Sequence, residues 1–263
     1  MMRYCCTLFF LFLLCSCKTQ ATQPVITTNE QSTRAYQLQK ENMEKEIYFR
    51  AIGNEPEWSL KISSNQIEFT SLLPDFKAFN APHVEPVRAM DANVKRYSVS
   101  TETGTMIITI EQDQCTNTMS GAVLPYQVRV EVYQGNDLKT TLSGCGYYVM
   151  DPKLHDIWVL EKMNGENISI NKFSKELPYL EINTTEGTFM GYGGCNRMNG
   201  KLFFEKGLLR FTNIATTEMA CGSQNRESEL LHSLESSTTY QVANMRLTLT
   251  NPSGIELVFK KVD

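Results

Sequence analysis

Histidine and tryptophan are scarce in this sequence, with three and two residues among 263. Lysine and arginine form no long block, and the formal net charge is −4, which argues against nucleic acid as a partner. No Cys-x-x-Cys motif is present, so the sequence lacks the usual signature of a thiolate metal centre. No apolar run approaches the roughly 20 residues that a membrane-spanning helix requires.

The composition that remains is that of a globular protein. Hydrophobic residues make up 41% of the chain and charged residues 21%, which is not typical of disordered, collagen-like or coiled-coil sequences. A length of 263 residues allows one or two domains.

The N-terminus has the pattern of an export signal. Arg3 supplies one positive charge, and residues 5–14 are apolar except for Thr7. This run is too short to remain as a membrane anchor and is typical of a signal peptide.

The junction Leu14-Cys15-Ser16-Cys17 resembles the bacterial lipobox. In that family the cysteine receives a diacylglyceryl group and, after cleavage, an acyl chain such as palmitate on its amine. We therefore predict a lipoprotein signal peptide at residues 1–16 and lipidation of Cys17. Lipidation at Cys15 fits less well, and an ordinary secretory signal in which Cys17 is incidental is the alternative.

The residues after the junction predict a location and a tether. Lys18 is not the aspartate that resembles an inner-membrane retention signal, so we expect a lipid anchor in the outer membrane that faces the periplasm. Residues 17–45 are rich in polar residues and are predicted to be a flexible tether. Residues 36–46 could form a helical turn or two, but they have no apolar face to bury.

Short alternating segments predict a mainly β protein with two small antiparallel β-barrel or sandwich domains. Residues 46–150 form the first and residues 151–263 the second, divided near Asp151-Pro152. The segment 127–133 alternates over seven residues, whereas residues 226–236 have helical periodicity and predict one short α-helix. Each half has its own strands, tryptophan and cysteines, so we expect each to fold independently.

Four cysteines remain after the signal peptide and Cys17 are set aside. Cys115 and Cys145 lie in the first predicted domain, and Cys195 and Cys221 lie in the second. Two per domain in an oxidising compartment predicts one disulfide in each. The alternative is four buried free thiols.

The second domain resembles the META domain (HslJ-like) family over residues 156–260. The resemblance rests on Trp158, Leu160, Gly165, Pro178, the run GTFMGYGGCNRMNG at 187–200 and the run IATTEMAC at 214–221. The family-motif residues are Gly191, Gly193, Gly194, Cys195, Asn196, Met219 and Cys221. The resemblance implies an exported or membrane-anchored β-rich domain without established enzymatic activity, from a family linked to stress and drug tolerance.

The first domain resembles, more loosely, an uncharacterised bacterial lipoprotein domain. The residues that carry this are the run 49–58, Cys115, Met119-Ser120-Gly121, Pro125-Tyr126 and Gly144-Cys145. That family implies no mechanism. Thr116-Asn117-Thr118 stands where an acidic stretch is usual, which weakens any expectation of a cation site.

Three patterns suggest chemistry, and each has a simpler structural interpretation. The glycines of residues 191–196 resemble a phosphate-binding loop, but no Lys-Ser/Thr or helix follows them, so a packing role is favoured. Met190, Met198 and Met219 could bind a soft metal, although methionine commonly fills cores. Glu55 and Glu57 weakly resemble a glycosidase pair but are better explained as a polar turn.

Cys195 is also a candidate nucleophile. It would need a nearby base, and His155 and His232 are the only histidines of the second domain. Neither lies in a recognisable pattern, so a disulfide is favoured. We therefore predict no catalytic residue, no metal and no cofactor.

Together these patterns predict a non-enzymatic cell-envelope lipoprotein, held at the membrane by its lipid. The expected role is binding of an envelope protein or glycan, or tolerance of envelope stress, without nucleic acid. The first alternative is a periplasmic inhibitor of an enzyme of the lysozyme type, and the second is an uncharacterised enzyme.

Overall fold

The computed structural model of the chain describes residues 28–102, 104–173 and 175–262. The predicted signal peptide at residues 1–16 and the lipidation site Cys17 lie outside the described residues. In the described part of the chain, no helix is both long and apolar enough to cross a membrane.

Residues 47–148, here called the first unit, are built from short antiparallel strands. These are β1 (Ile47–Asn54), β2 (Glu57–Ser63), β3 (Gln66–Ser71), β4 (Ala78–Pro82), β5 (Val87–Arg88), β6 (Val94–Thr101), β7 (Gly104–Glu111), β8 (Cys115–Thr116), β9 (Val123–Leu124), β10 (Tyr126–Gln134) and β11 (Asp137–Tyr148). Nine of them form one sheet in the order β4-β3-β2-β1-β11-β10-β7-β6-β5, and β8 pairs with β9 in a separate hairpin.

The alternation in the sequence decides which face of the first sheet is buried. In β10, Val128 and Val130 are buried, whereas Gln127 and Arg129 are exposed. Successive side chains of a strand point to opposite faces, so every second residue enters the core. Trp58 lies in this core, and its Nε1 donates a hydrogen bond to the Ser143 carbonyl oxygen at 3.3 Å.

Residues 157–261, here called the second unit, form a second antiparallel sheet. Its elements are β12 (Ile157–Met163), β13 (Glu166–Asn167), β14 (Tyr179–Asn183), β15 (Thr188–Tyr192), β16 (Arg197–Glu205), β17 (Leu208–Thr216), α2 (Glu227–Ser236), β18 (Thr239–Ala243), β19 (Arg246–Thr250) and β20 (Glu256–Lys261). The strand order is β13-β12-β14-β15-β16-β17-β18-β19-β20. An additional pairing of β12 with β20 closes the series from β12 to β20 into a ring, and β13 pairs with β12 alone.

The helix of the second unit agrees with the sequence pattern. Helix α2 covers Glu227–Ser236, and its Leu230 and Leu234 are fully buried. The backbone N–H of Glu227 donates to Asn225 Oδ1 at 2.8 Å, so Asn225 contributes to the start of the helix. The turns after Glu205 and after Thr250 connect β16 to β17 and β19 to β20. The prediction of a mainly β protein with antiparallel sheets and one short helix in the second unit is confirmed.

The predicted tether at residues 17–45 differs from the structure over its described part. Thr28–Glu44 form a helix of 17 residues, α1. Its Gln39 Nε2 donates to the Thr184 carbonyl oxygen of the second unit at 2.8 Å, and Gln39 Oε1 accepts from Thr184 Oγ1 at 2.9 Å. Its buried Asn42 accepts a hydrogen bond from Arg50 Nη1 of the first unit at 3.2 Å. Polar side chains of α1 therefore make contacts with both units, although the helix has no apolar stripe.

The β16–β17 hairpin joins the two units. Phe203 and Phe204, near its tip, pack against the core of the first unit. Glu205 follows them and is buried against Lys95 of β6, with Nζ 3.0 Å from the carboxylate. The first unit therefore completes its core and a buried ion pair with residues of the second. Division into independent domains near Asp151-Pro152 stays a prediction.

Candidate functional site

The glycines of the family motif lie where the backbone passes close to other groups. A Cβ at Gly191 would lie 2.0 Å from the Tyr179 carbonyl oxygen, and one at Gly193 would lie 2.8 Å from Glu227 Oε2. Gly194 has a φ of +108° and faces the Phe173 ring. These positions require glycine for close packing and for a backbone conformation that side chains disfavour, in agreement with the structural interpretation.

The carboxylate of Glu227 occupies the concave side of this loop. Glu227 Oε2 accepts hydrogen bonds from the backbone N–H groups of Cys195 at 2.9 Å and Asn196 at 2.5 Å. Glu227 Oε1 accepts a third bond, of 2.7 Å, from Asn196 Nδ2. Consecutive N–H groups that point into a concavity are typical of an anion site. The loop thus has the geometry of a phosphate cradle, but the protein's own carboxylate fills it.

Asn196 extends the same network toward residues 217–219. Its Oδ1 accepts hydrogen bonds from Thr217 Oγ1 at 2.8 Å and from the Met219 backbone N–H at 2.7 Å. A disulfide between Cys195 and Cys221, with Cα atoms 5.9 Å apart, fastens the same two segments. The structure therefore brings the family-motif residues together, and their contacts hold the glycine loop against residues 217–221.

The cysteine and methionine chemistry considered from the sequence does not fit this arrangement. The ligand atoms of Cys195, Cys221 and Glu227 lie within 4.8 Å of one another, but both sulfur atoms belong to the disulfide and carry no thiolate. Met198 is buried in the core, whereas Met190 and Met219 are more than half exposed. Among the described residues, the cluster is a hydrogen-bonded network that the disulfide cross-links.

The first unit presents a cleft beneath the β8–β9 hairpin. We call the segment Cys115–Leu124 the flap. A disulfide between Cys115 and Cys145, with Cα atoms 5.4 Å apart, ties the flap to the outer face of the sheet. The flap cleft between them has a volume of about 450 Å³. Both predicted disulfides are thus confirmed, one in each unit.

Polar side chains surround the flap cleft. Asn54 Nδ2 donates to Asn117 Oδ1 at 3.2 Å and to Thr118 Oγ1 at 2.9 Å, which links β1 to the flap. The other polar lining residues, from β7, β10, β11 and the flap, are Thr109, Glu111, Thr116, Gln127, Arg129 and Ser143. Glu55 also lines the cleft, but Glu57 does not, so the structure does not place these two carboxylates in one site.

The flap cleft has charge that the protein does not neutralise. Among the described residues, the Glu55, Glu111 and Arg129 side chains have no ion-pair or hydrogen-bond partner. Burial raises the pKa of Tyr126 and Tyr148, and both side chains lie in the core of the first unit and do not line this cleft. The cleft therefore offers hydrogen-bonding and charged groups without a nucleophile–base pair.

Two buried acids were missed by sequence reasoning. Glu227 falls within the segment 226–236 that predicts the helix, and Glu205 lies outside every predicted site. The partners of both residues come from distant segments of the chain. The Gly-Gly-Cys-Asn run was the available signal for Glu227, because such a loop needs an anionic or polar group to accept its N–H bonds.

Two solved structures, both determined by NMR, are similar to part of this chain. One has 24% identity and a TM-score of 0.34, over 41% of this chain and 90% of the other. The other, a protein from Burkholderia xenovorans, has 23% identity and a TM-score of 0.34, over 41% of this chain and 82% of the other. No curated protein gives a match. Residues 153–263 match the family model of the META domain, which confirms the resemblance derived from residues 156–260.

Proposed function

We propose that this protein is an exported lipoprotein of the cell envelope that binds an extracytoplasmic glycan at the flap cleft. The observation that carries the proposal is the pair of disulfides, one closing a loop in each unit. Disulfides persist in oxidising compartments outside the cytoplasm. The lipobox-like junction at Cys17 supplies the anchor, which we place in the outer membrane on its periplasmic face.

The lining of the flap cleft supports binding of a hydroxyl-rich ligand. Hydroxyl and amide side chains from four strands and the flap face one space of about 450 Å³. A glycan offers alternating donors and acceptors that such groups can satisfy. The disulfide holds the flap against the sheet, so the cleft is preorganised and less ordering entropy is lost on binding.

Anchoring is tested by the Cys17→Ser variant. Without a lipidated cysteine, we expect the protein to move from the membrane fraction to the soluble envelope fraction. The exported protein then carries no acyl groups to hold it at the membrane. Fractionation and mass spectrometry of the N-terminus measure this. Cys15→Ser is the matched control and should remain acylated. Acylation and cleavage of the Cys17→Ser protein at the parental position would refute the anchor.

Glycan binding is tested by NMR titration with soluble oligosaccharides released enzymatically from the cell's own envelope. We expect shifts at the flap-cleft residues, and about tenfold weaker binding by the Arg129→Ala variant because a charged hydrogen bond is lost. Arg96→Ala is the control, since Arg96 is exposed and outside the cleft. The proposal fails if the cleft signals do not shift, or if the two variants bind equally well.

A further inference from the structure

A second cleft lies where the two units meet. It has a volume of about 730 Å³ and is bounded by residues 88–95 of the first unit and by the β16–β17 hairpin of the second. We call it the junction cleft. Ligand sites commonly occur between domains, where two surfaces can contribute groups to one space.

One face of the hairpin forms the second unit's wall of the junction cleft. Phe203 pairs with Arg210 across the two strands, and Glu205 pairs with Leu208. These four side chains share a face and line the cleft. The opposite face of the hairpin carries Leu209, which is buried in the core of the second unit.

Arg210 is positioned by an aromatic ring. Its guanidinium carbon lies 5.8 Å from the centroid of the Phe203 ring. A guanidinium over a ring keeps its N–H edge free for a planar anion. Among the described residues, Arg210 has no carboxylate partner.

The floor of the junction cleft is already neutral. Lys95 Nζ lies 3.0 Å from both carboxylate oxygens of Glu205. Asn93 Nδ2 and Tyr126 Oη also donate to Glu205 Oε1, each at 2.7 Å. Because Glu205 is satisfied by these donors, it does not neutralise the arginines at the mouth.

The charge left at the mouth is positive. Arg88 lines the cleft from the first unit, and its guanidinium has no ion-pair or hydrogen-bond partner among the residues that the structure describes. Within the described part of the chain, Asp91 is the one lining acid besides Glu205. Arg88 and Arg210 thus leave one net positive charge beside an apolar surface that includes Leu208 and the fully exposed Met90.

We propose that the junction cleft binds an anionic group, carboxylate or phosphate, carried on an apolar body. The guanidinium groups of Arg88 and Arg210 bind the anion, and Phe203, Leu208 and Met90 contact the apolar part. Arginine suits this role because its planar donors match the geometry of both anions. This site is separate from the flap cleft, and it does not depend on glycan binding there.

The test uses the full chain with its disulfides intact and three small probes. Benzoate and phenyl phosphate carry the two anions on the same ring, and benzyl alcohol is the neutral control. NMR titration follows the signals of residues 88–95 and 203–212. We expect at least one anion to bind there, the affinity to fall with added salt, and benzyl alcohol to bind about tenfold more weakly or not at all. The relative affinities of the two anions identify the preferred group.

Variants separate the arginines from general surface charge. Arg88→Gln and Arg210→Gln should each weaken binding of the preferred anion by about tenfold, as loss of a charged hydrogen bond predicts. Arg96→Gln removes an equal charge outside the cleft and should leave binding unchanged. The proposal is overturned if neither anion shifts these signals at millimolar concentration, or if all three variants bind alike. Unchanged spectra of the unbound variants establish that the fold is retained.

Discussion

Replacement of Glu205 with alanine is expected to lower the free energy of unfolding by about 3–5 kcal/mol, the cost of breaking a buried ion pair from one side. The variant leaves Lys95 as an uncompensated charge with a side chain only 7% exposed. It also removes the acceptor of the Tyr126 hydroxyl, whose hydrogen bond is 2.7 Å long. Both groups belong to the first unit, so its stability should fall although the substitution lies in the second.

Denaturant unfolding of the full chain measures this cost. Glu131→Ala is the control, because Glu131 forms a 4.0 Å ion pair with the exposed Arg96 and should cost at most about 1 kcal/mol. The double variant Lys95→Met, Glu205→Leu removes both charges and should recover most of the loss. It also gives a measurable protein if the single variant does not fold. Equal stability of the Glu205→Ala and Glu131→Ala proteins would contradict the role of the pair.

The same pair predicts a pH dependence. Burial alone would raise the pKa of the Glu205 carboxyl, but the hydrogen bonds that it accepts outweigh burial and hold the pKa below its ordinary value. The stabilisation is therefore present above the unfolded-state pKa of about 4.3 and is lost as pH falls through the folded-state pKa. Between about pH 5 and pH 2, the parent should lose more stability than the double variant.

Removal of the disulfide between Cys195 and Cys221 is expected to lower the free energy of unfolding by about 2–5 kcal/mol. The bond closes a sequence separation of 26 residues, and the unfolded chain gains conformational freedom when it is absent. The bond also holds the glycine loop near residues 217–219, which Asn196 contacts through two hydrogen bonds. A Cys195→Ser, Cys221→Ser protein measured by thermal and denaturant unfolding gives the cost.

A matched variant separates the disulfide from the carboxylate network. Glu227→Gln keeps the cross-link but replaces one acceptor oxygen with a donor, so a loop N–H or the Asn196 amide loses its partner, at a cost of about 1–3 kcal/mol. Combining it with the serine pair should give non-additive losses, because both changes act on one loop. Stoichiometric alkylation of Cys195 in the native, non-reduced protein would contradict the disulfide and restore the thiol as a candidate nucleophile.

The sequence predicts local features of this fold better than its long-range contacts. Alternation over 127–133 locates β10, and helical periodicity over 226–236 locates α2, because both patterns depend on neighbours within a few residues. The cysteine count also leads to the observed pairings. A local pattern cannot reveal that Glu205 is buried, since its partners Lys95 and Tyr126 belong to another sheet.

The candidate sites show the same division. Gly193, Gly194 and Asn196 are adjacent in the sequence, so their shared loop could be identified before its partner Glu227 was known. The flap cleft was not predicted, because the segments around Asn54 and Cys115 were quoted only as the residues that carry a resemblance. The sequence indicated only a helical turn or two at residues 36–46, because the contacts of helix α1 through Gln39 and Asn42 are polar and hydrophobic periodicity does not reveal them.

The pairing of β12 with β20 limits when the sheet of the second unit can close during folding. Leu160 of β12 lies opposite Phe259 of β20, and both side chains are buried. The opening strand of the ring therefore has no partner on that edge until the last strand has been synthesised. Contacts of such large sequence separation form slowly, because the chain loses loop-closure entropy before the contacts contribute favourable free energy. Phe203 and Phe204 of the β16–β17 hairpin pack against the core of the first unit, so we expect that core to be fully covered only once this hairpin has formed.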